Sequence, residues 1–229
     1  SAIHLAEGLQ LQPARLREGL EPSDLRQPTM EDLAIVTLFL PGVTSQLEVV
    51  AATEKELATA GWNALWEVAL LSALVKADGV CNLFSTCALE QMTNGAEISV
   101  SNRHLYGFRA DPTTVAQPDV TWLGRHYSSA RILMEDNRYQ DAVAALWSYR
   151  WHTRPRARMA LLWAGIEGLL GVQSEVTFRT SLIVAWFLEP KDRDRRQRLF
   201  RRIKKLYGYR SRAVHGGKMK TSSVDAVEE

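Results

Sequence analysis

Apolar residues recur with a helical period over most of this chain, and Pro and Gly residues separate the periodic stretches. The first stretch follows Thr29 and stops at Pro41-Gly42, which predicts a helix over about 29–40. The second opens at a capping box, Thr53-Glu-Lys-Glu56, and predicts a helix over about 53–76. Because its apolar residues form a broad face, we expect this second helix to be largely buried. The face comprises Leu57, Leu65, Trp66, Leu70 and Leu74.

The rest of the N-terminal half has no helical period. Residues 1–27 predict an irregular or short-stranded arm, and turn signals interrupt the chain repeatedly over 80–123. Within that stretch, residues 96–101 alternate like a short strand, for which 104–109 is the candidate partner. We therefore expect an N-terminal domain of uncertain fold over 1–123, with a small strand-bearing insertion.

After residue 123 the chain becomes densely helical. Pro155 suits the first turn of a helix, Gly171 suits a helix end, and Pro190 stops the helix before it. Because the connections are short, neighbouring helices should be antiparallel. The predicted fold class is thus mainly α, with an antiparallel helical bundle over 124–229. Its helices are expected at about 124–136, 138–152, 155–170, 175–188 and 192–215.

Composition narrows the cellular setting. An apolar fraction of 46% and seven tryptophans indicate a packed globular protein. Cys81 and Cys87 lack the spacing of a metal site or of a disulfide framework, which favours a reduced, cytoplasmic environment. We find no apolar run of the ~18 residues that a membrane span requires and no secretory signal, so we expect no membrane association.

Charge is concentrated in one predicted helix. The whole chain carries 28 Lys and Arg against 26 Asp and Glu, but residues 191–212 alone hold eleven Lys and Arg against two Asp. The remainder is therefore slightly acidic. Such a local concentration of cations is typical of nucleic-acid binding, although a solvated helix face is the plainer alternative.

The end of this basic helix holds the main candidate chemistry. Arg210 and His215 lie five residues apart, just before Gly216-Gly217. A guanidinium can neutralise a phosphate oxygen, and an imidazole can move protons near neutral pH, so the two suit a metal-free attack on a phosphodiester. On an ideal helix they are about 140° apart, so a shared groove requires the arginine to reach round or the helix to loosen. Alternatively, His215 caps the helix and Arg210 is a surface charge.

Glu167 is the one acid in an apolar predicted helix. A carboxylate there is costly unless it is exposed or paired. It can pair with Arg210 or orient His215, or form an ordinary structural ion pair with another arginine.

Three stretches together resemble a known superfamily. Tyr207-Gly-Tyr-Arg-Ser-Arg-Ala-Val-His-Gly216 fits a Tyr-x-x-Arg-Ser-x-x-x-His-Gly pattern, and the helices around Leu161–Gly171 and Phe178–Leu188 fit those that precede it. Over about 138–217 the chain thus resembles the Apea-like branch of the HEPN superfamily. Ser211 departs from the Asn, His or Asp that many members carry after the arginine.

This resemblance implies a metal-independent endoribonuclease. The RNA 2′-OH would attack the neighbouring phosphate and leave 2′,3′-cyclic phosphate ends. His215 would exchange protons, Arg210 would stabilise the transition state, and Glu167 would position one of them. No cofactor or metal is implied. The resemblance also implies a homodimer through the C-terminal bundle, and a defence or toxin-like role.

RNA contacts are expected from the basic helix and its tyrosine. The candidates are Ser211, Arg212, Tyr207, Arg198, Arg201, Arg202 and Lys205. For Tyr207, packing inside the bundle is the alternative to stacking on a base.

Two alternative functions stay open. The chain can be a non-catalytic HEPN scaffold or sensor that dimerises or binds RNA. It can also be a DNA-binding regulator, although the spacing of a helix-turn-helix with a distinct recognition helix is lacking.

Overall fold

The structure is a computed structural model, and it describes residues 2–26, 29–77, 79–101 and 115–218. It is 62% helical, with seven α-helices and two small antiparallel sheets among the described residues. This confirms the mainly α prediction. The chain divides into two compact units, one that ends at Ile132 and one that begins at Leu133.

A three-stranded antiparallel sheet opens the first unit. Its strands are β1 (Ile3–Ala6), β2 (Leu9–Pro13) and β3 (Ser45–Val49), in that order across the sheet. Gly8, between β1 and β2, has φ +68°, and a β-carbon at that position would collide with the carbonyl oxygen of Val50. The two N-terminal strands confirm a short-stranded arm, whereas β3 lies where no strand is predicted.

Threonine caps open the first two helices. Helix α1 (Met30–Phe39) follows Thr29, whose side chain accepts a hydrogen bond from the backbone N–H of Asp32. Helix α2 (Glu54–Val75) follows Thr53, which accepts from the backbone N–H of Glu56. Both helices are confirmed, because the caps that mark them are local features of the sequence.

The burial predicted for α2 is wrong for its N-terminal half. Leu57 and Trp66, predicted to be buried, are 45% and 40% exposed, and Trp62 is 70% exposed. The C-terminal half is packed, with Ala69, Leu70, Leu71 and Ser72 all buried. A hydrophobic pattern identifies an apolar face but not the length over which neighbouring elements cover it.

By length and composition alone, α2 is also the one helix among the described residues that could cross a membrane. Within its apolar stretch, however, Glu67 accepts hydrogen bonds from the Tyr127 hydroxyl and from Arg131 Nε, at 2.9 Å for the latter. Burial and the Glu67 carboxylate together raise the pKa of Tyr127. This part of α2 is thus held by polar contacts to the last helix of its own unit.

That helix, α3 (Gln117–Leu133), begins earlier than predicted. The sequence analysis treated Gln117-Pro118 as a turn and placed the helix at about 124–136. Instead, Pro118 lies in the first turn, where its missing N–H costs nothing. The compact unit consequently extends beyond residue 123.

The alternating stretch near residue 98 is a strand, as predicted. Here β5 (Ile98–Val100) pairs with β4 (Leu83–Ser85) in a two-stranded antiparallel sheet. The candidate partner, 104–109, lies outside the described residues.

In the second unit, helix ends follow the sequence signals closely. The helices are α4 (Asn137–Ser148), α5 (Pro155–Leu170), α6 (Val176–Leu188) and α7 (Arg193–Val214). Gly171 ends α5 in the left-handed conformation, with φ 62°. The prediction for α4 extended to 152, but a 3₁₀ turn over Tyr149–Trp151 replaces its last residues.

These four helices pack in the order α4, α5, α7, α6. Helix α4 packs on α5, α5 on α7 and α7 on α6, whereas α6 makes no comparable contact with α4 or α5. The core between α5, α6 and α7 comprises Met159, Trp163, Ala185, Ile203 and Ala213. Helix α7 therefore has an inner side that faces this core and an outer side toward solvent.

Candidate functional site

Helix α7 is strongly amphipathic, and its sequence explains how it is held. Asp192 caps its start by accepting a hydrogen bond from the backbone N–H of Arg195 at 2.9 Å, and backbone hydrogen bonding lowers the pKa of this exposed carboxyl group. Leu199, Ile203 and Leu206 place an apolar stripe toward the core. The positions between them are mostly basic, so the two sides of the helix differ in charge.

Arg210 lies on the inner side. Its Nη2 donates to Oε2 of Glu167 on α5 at 2.7 Å, and the two side chains are only 20% and 22% exposed. The Arg210 Nε and the second oxygen of Glu167 are buried without a hydrogen-bond partner among the described residues. Of the pairings considered for Glu167, the structure forms the one with Arg210.

Tyr207 joins this inner cluster. Its ring packs edge-on against Trp163 at 5.1 Å between centroids, and the guanidinium of Arg210 lies 5.5 Å from its ring centre. Burial, followed by the nearby Glu167 carboxylate, raises the pKa of the Tyr207 phenol. The ring therefore lies within the packed side of the helix.

His215 is at the end of α7 and is separated from this cluster. It is the C-terminal cap residue, and its backbone N–H donates to the Ser211 carbonyl at 3.0 Å. Its side chain is exposed, and no hydrogen bond or ion pair joins the imidazole to any described residue. The structure thus brings Glu167, Arg210 and Tyr207 together but does not bring His215 into contact with them.

The sequence analysis missed the residue that anchors the end of α7. Arg156, in the first turn of α5, donates to the carbonyls of Arg212 at 3.0 Å, Ala213 at 2.7 Å and Gly217 at 2.8 Å. A cation at a helix C-terminus is favourable, because the last carbonyls lack partners within the helix. The one signal in the sequence is a cation in a first turn, where acids are preferred.

Most cations of α7 lie on its outer side. Two arginines near its start are engaged: Arg195 pairs with Asp192, and Arg196 stacks on Trp186 at 3.7 Å and donates to two loop carbonyls. The predicted RNA-contacting cations are all exposed, whereas Ser211 is half-buried. These cations are Arg198, Arg201, Arg202, Lys205 and Arg212.

A second tyrosine accompanies the outer cations. Tyr209 is half-buried against the core, and both Arg212 and Lys205 approach its ring, at 4.8 and 5.9 Å from the centroid. The positive charge thus extends to the end of the helix.

The cysteines and acids of the described residues form no competing site. Burial raises the pKa of Cys81 to about 11, which keeps this thiol protonated near neutral pH. Across the described ranges, no three His, Cys, Asp or Glu side chains are grouped as a metal ion would need.

Comparisons with protein-family models, with curated proteins and with solved structures gave no match.

Proposed function

We propose that the C-terminal unit is an RNA-binding, HEPN-like module that contacts the phosphate backbone through the outer face of α7. This outer face is defined by Arg198, Arg201, Lys205 and Arg212. At 100° per residue they lie within about 60° of the helix circumference, and at 1.5 Å per residue they span about 21 Å. All four side chains are exposed. The alignment of exposed cations is the observation that carries the proposal.

A stripe of this kind suits a phosphate backbone. Each Lys or Arg that contacts a phosphate releases condensed counterions, which makes binding strongly dependent on salt. Such contacts position the nucleic acid but read no sequence. The inner residues Arg210 and Tyr207 support the helix in this proposal and do not contact RNA.

The preference for RNA over DNA rests on the resemblance to HEPN domains in the same residues. The competing DNA-binding function predicts equal or tighter binding to duplex DNA. The measurement below therefore includes both nucleic acids.

The test is the salt dependence of RNA binding, measured by fluorescence anisotropy with a mixed-sequence single strand. Replacing Arg198, Arg201 and Lys205 together by Gln should lower the slope of log K against log salt by about three, or roughly one per lost contact. The matched control is Arg125→Gln, because Arg125 is an exposed cation on α3. An unchanged slope in the triple variant, or tighter binding to duplex DNA, would contradict the proposal.

Metal-independent RNA cleavage is a second candidate, favoured by the exposed and unpaired imidazole of His215. As a base, His215 would take the proton of the RNA 2′-OH. The oxygen would then bond to the adjacent phosphorus, and the bond to the 5′-oxygen would break as that oxygen gains a proton. Arg210 would reach the phosphate only after its ion pair with Glu167 opens.

This candidate is tested by incubating a mixed RNA pool with the protein in EDTA. Cyclic-phosphate ends that disappear in both His215→Ala and Arg210→Ala would support it. Binding without cleavage by the wild-type protein would leave the scaffold function alone.

A further inference from the structure

Helix α6 has its small, polar side buried and its large, apolar side exposed. Thr180, Ser181 and Ala185 are completely buried, whereas Phe187 is 83% and Trp186 52% exposed. This arrangement is the reverse of the usual surface helix, in which the apolar stripe faces the core. It arises because α6 packs on α7 through its small residues and has no comparable contact with α4 or α5.

The exposed side of α6 forms a continuous apolar face. Phe178, Leu182 and Trp186 follow one another at four-residue intervals, and Ile183 and Phe187 form a second such row beside them. An enclosed aromatic side chain buries ~150–250 Å², so the three aromatics alone expose roughly 300–400 Å². With Leu182, Ile183 and Leu188 the α6 face exceeds what a typical monomer exposes, roughly 300–600 Å².

We propose that a second copy of this chain covers the α6 face. The face carries one cation, Arg179, which is paired with Glu175 at 3.5 Å, so two copies can meet without repulsion. A two-fold interface joins identical patches, and an uncharged aromatic patch is complementary to itself. Its area approaches the ~800 Å² per partner of a standard interface. This inference rests on exposure and charge, and it does not depend on RNA binding.

A membrane fits the α6 face less well. With thirteen residues, α6 is about 20 Å long, shorter than the ~30 Å hydrocarbon core. Helices that lie in a membrane interface present a polar face rich in Lys and Arg to water. The polar face of α6 consists of small residues that are buried in its own unit.

The experiment is sedimentation velocity of the full chain over a range of micromolar concentrations. The wild-type protein should be a dimer, and Phe187→Glu should weaken association by roughly a hundredfold or more, because both copies place the new charge in the interface. The matched control is Trp62→Glu, which alters a 70% exposed aromatic residue on α2 and should leave the dimer intact. Circular dichroism checks that each variant is folded.

A monomeric wild-type protein, or equal dissociation by both variants, overturns the proposal. If Phe187→Glu fails to fold, Phe187→Cys serves instead. Mild oxidation should link two copies of that variant covalently but should not link the parent chain with its own Cys81 and Cys87. Absence of this cross-link, or binding of the wild-type monomer to neutral phosphatidylcholine vesicles, counts equally against a second copy.

Discussion

The inner and outer sides of α7 use the same residue type in opposite ways. On the inner side, Arg210 is one-fifth exposed and held by Glu167 at 2.7 Å. On the outer side, Arg198, Arg201 and Arg212 extend into solvent. An arginine removed from water needs a partner, because the loss of hydration is costly unless it is replaced. An arginine in solvent keeps its charge available to a ligand.

This comparison separates stability from binding. We expect substitutions on the inner side to change the free energy of unfolding, and substitutions on the outer side to change affinity for nucleic acid. A family motif alone does not make this distinction, because Arg210 and Arg212 lie two residues apart within it.

The largest expected effect is the loss of Arg210. Arg210→Met leaves the Glu167 carboxylate partly buried and unpaired, and should reduce the free energy of unfolding by about 2–3 kcal/mol. This is below the ~3–5 kcal/mol of a fully buried pair, because the present pair is partly exposed. The outer variant Arg198→Met should change stability by less than about 0.5 kcal/mol. Urea unfolding measures both.

A double variant sharpens this result. Adding Glu167→Gln to Arg210→Met removes the charge that the single variant leaves without a partner, and should restore part of the lost stability. Equal unfolding free energies for Arg210→Met and Arg198→Met would contradict the distinction between the two sides.

A smaller contrast is expected between two glycines of α5. A β-carbon at Gly165 would lie 2.8 Å from the Ala145 β-carbon and 3.4 Å from the Ala142 α-carbon, whereas one at Gly168 would meet nothing within 4 Å. Gly165→Ala should therefore cost about 1–3 kcal/mol by overpacking α5 against α4. Gly168→Ala should add about 0.5–1 kcal/mol, since alanine favours a helix.

Thermal unfolding of the two variants gives the measurement. Because the substitution is the same in both, the sign of the change in melting temperature reports the local space alone. A gain for both variants would show that α4 and α5 are not closely packed at Gly165.

The sequence predicts the helices of the second unit well because their ends depend on local residues. Pro155, Gly171 and Pro190 mark boundaries through their own backbone preferences, which need no knowledge of neighbouring elements. The same logic misplaces α3, because a proline is allowed both in a turn and in the first turn of a helix. Only the tertiary context distinguishes these cases.

Which side of a helix packs is less predictable. The apolar residues of α6 suggest its buried side, but Thr180, Ser181 and Ala185 are buried in their place. Packing depends on where α7 approaches, and that position is set by residues far away in sequence. The Glu167–Arg210 pair was predictable as one alternative because a lone acid in an apolar helix requires a partner.

The smallest expected effect tests an exposed residue that nevertheless supports the inner structure. Arg156 is exposed but donates three hydrogen bonds to carbonyls at and beyond the end of α7. Arg156→Met should reduce the free energy of unfolding by about 1–2 kcal/mol, since partly exposed hydrogen bonds of a charged donor contribute modestly. Urea unfolding should show this loss, with Arg154→Met as control, because Arg154 is exposed and donates no side-chain cap to α5.

Hydrogen exchange adds a local measurement to this last prediction. If Arg156 holds the end of α7, the backbone amides of Ala213–His215 should exchange faster in Arg156→Met than in Arg154→Met. Arg156→Lys should restore only part of the protection, because an ammonium lacks the planar fork that reaches several carbonyls together. Equal exchange in the two Met variants would mean that the helix end is held without Arg156, and that exposure alone would have been the better guide to its role.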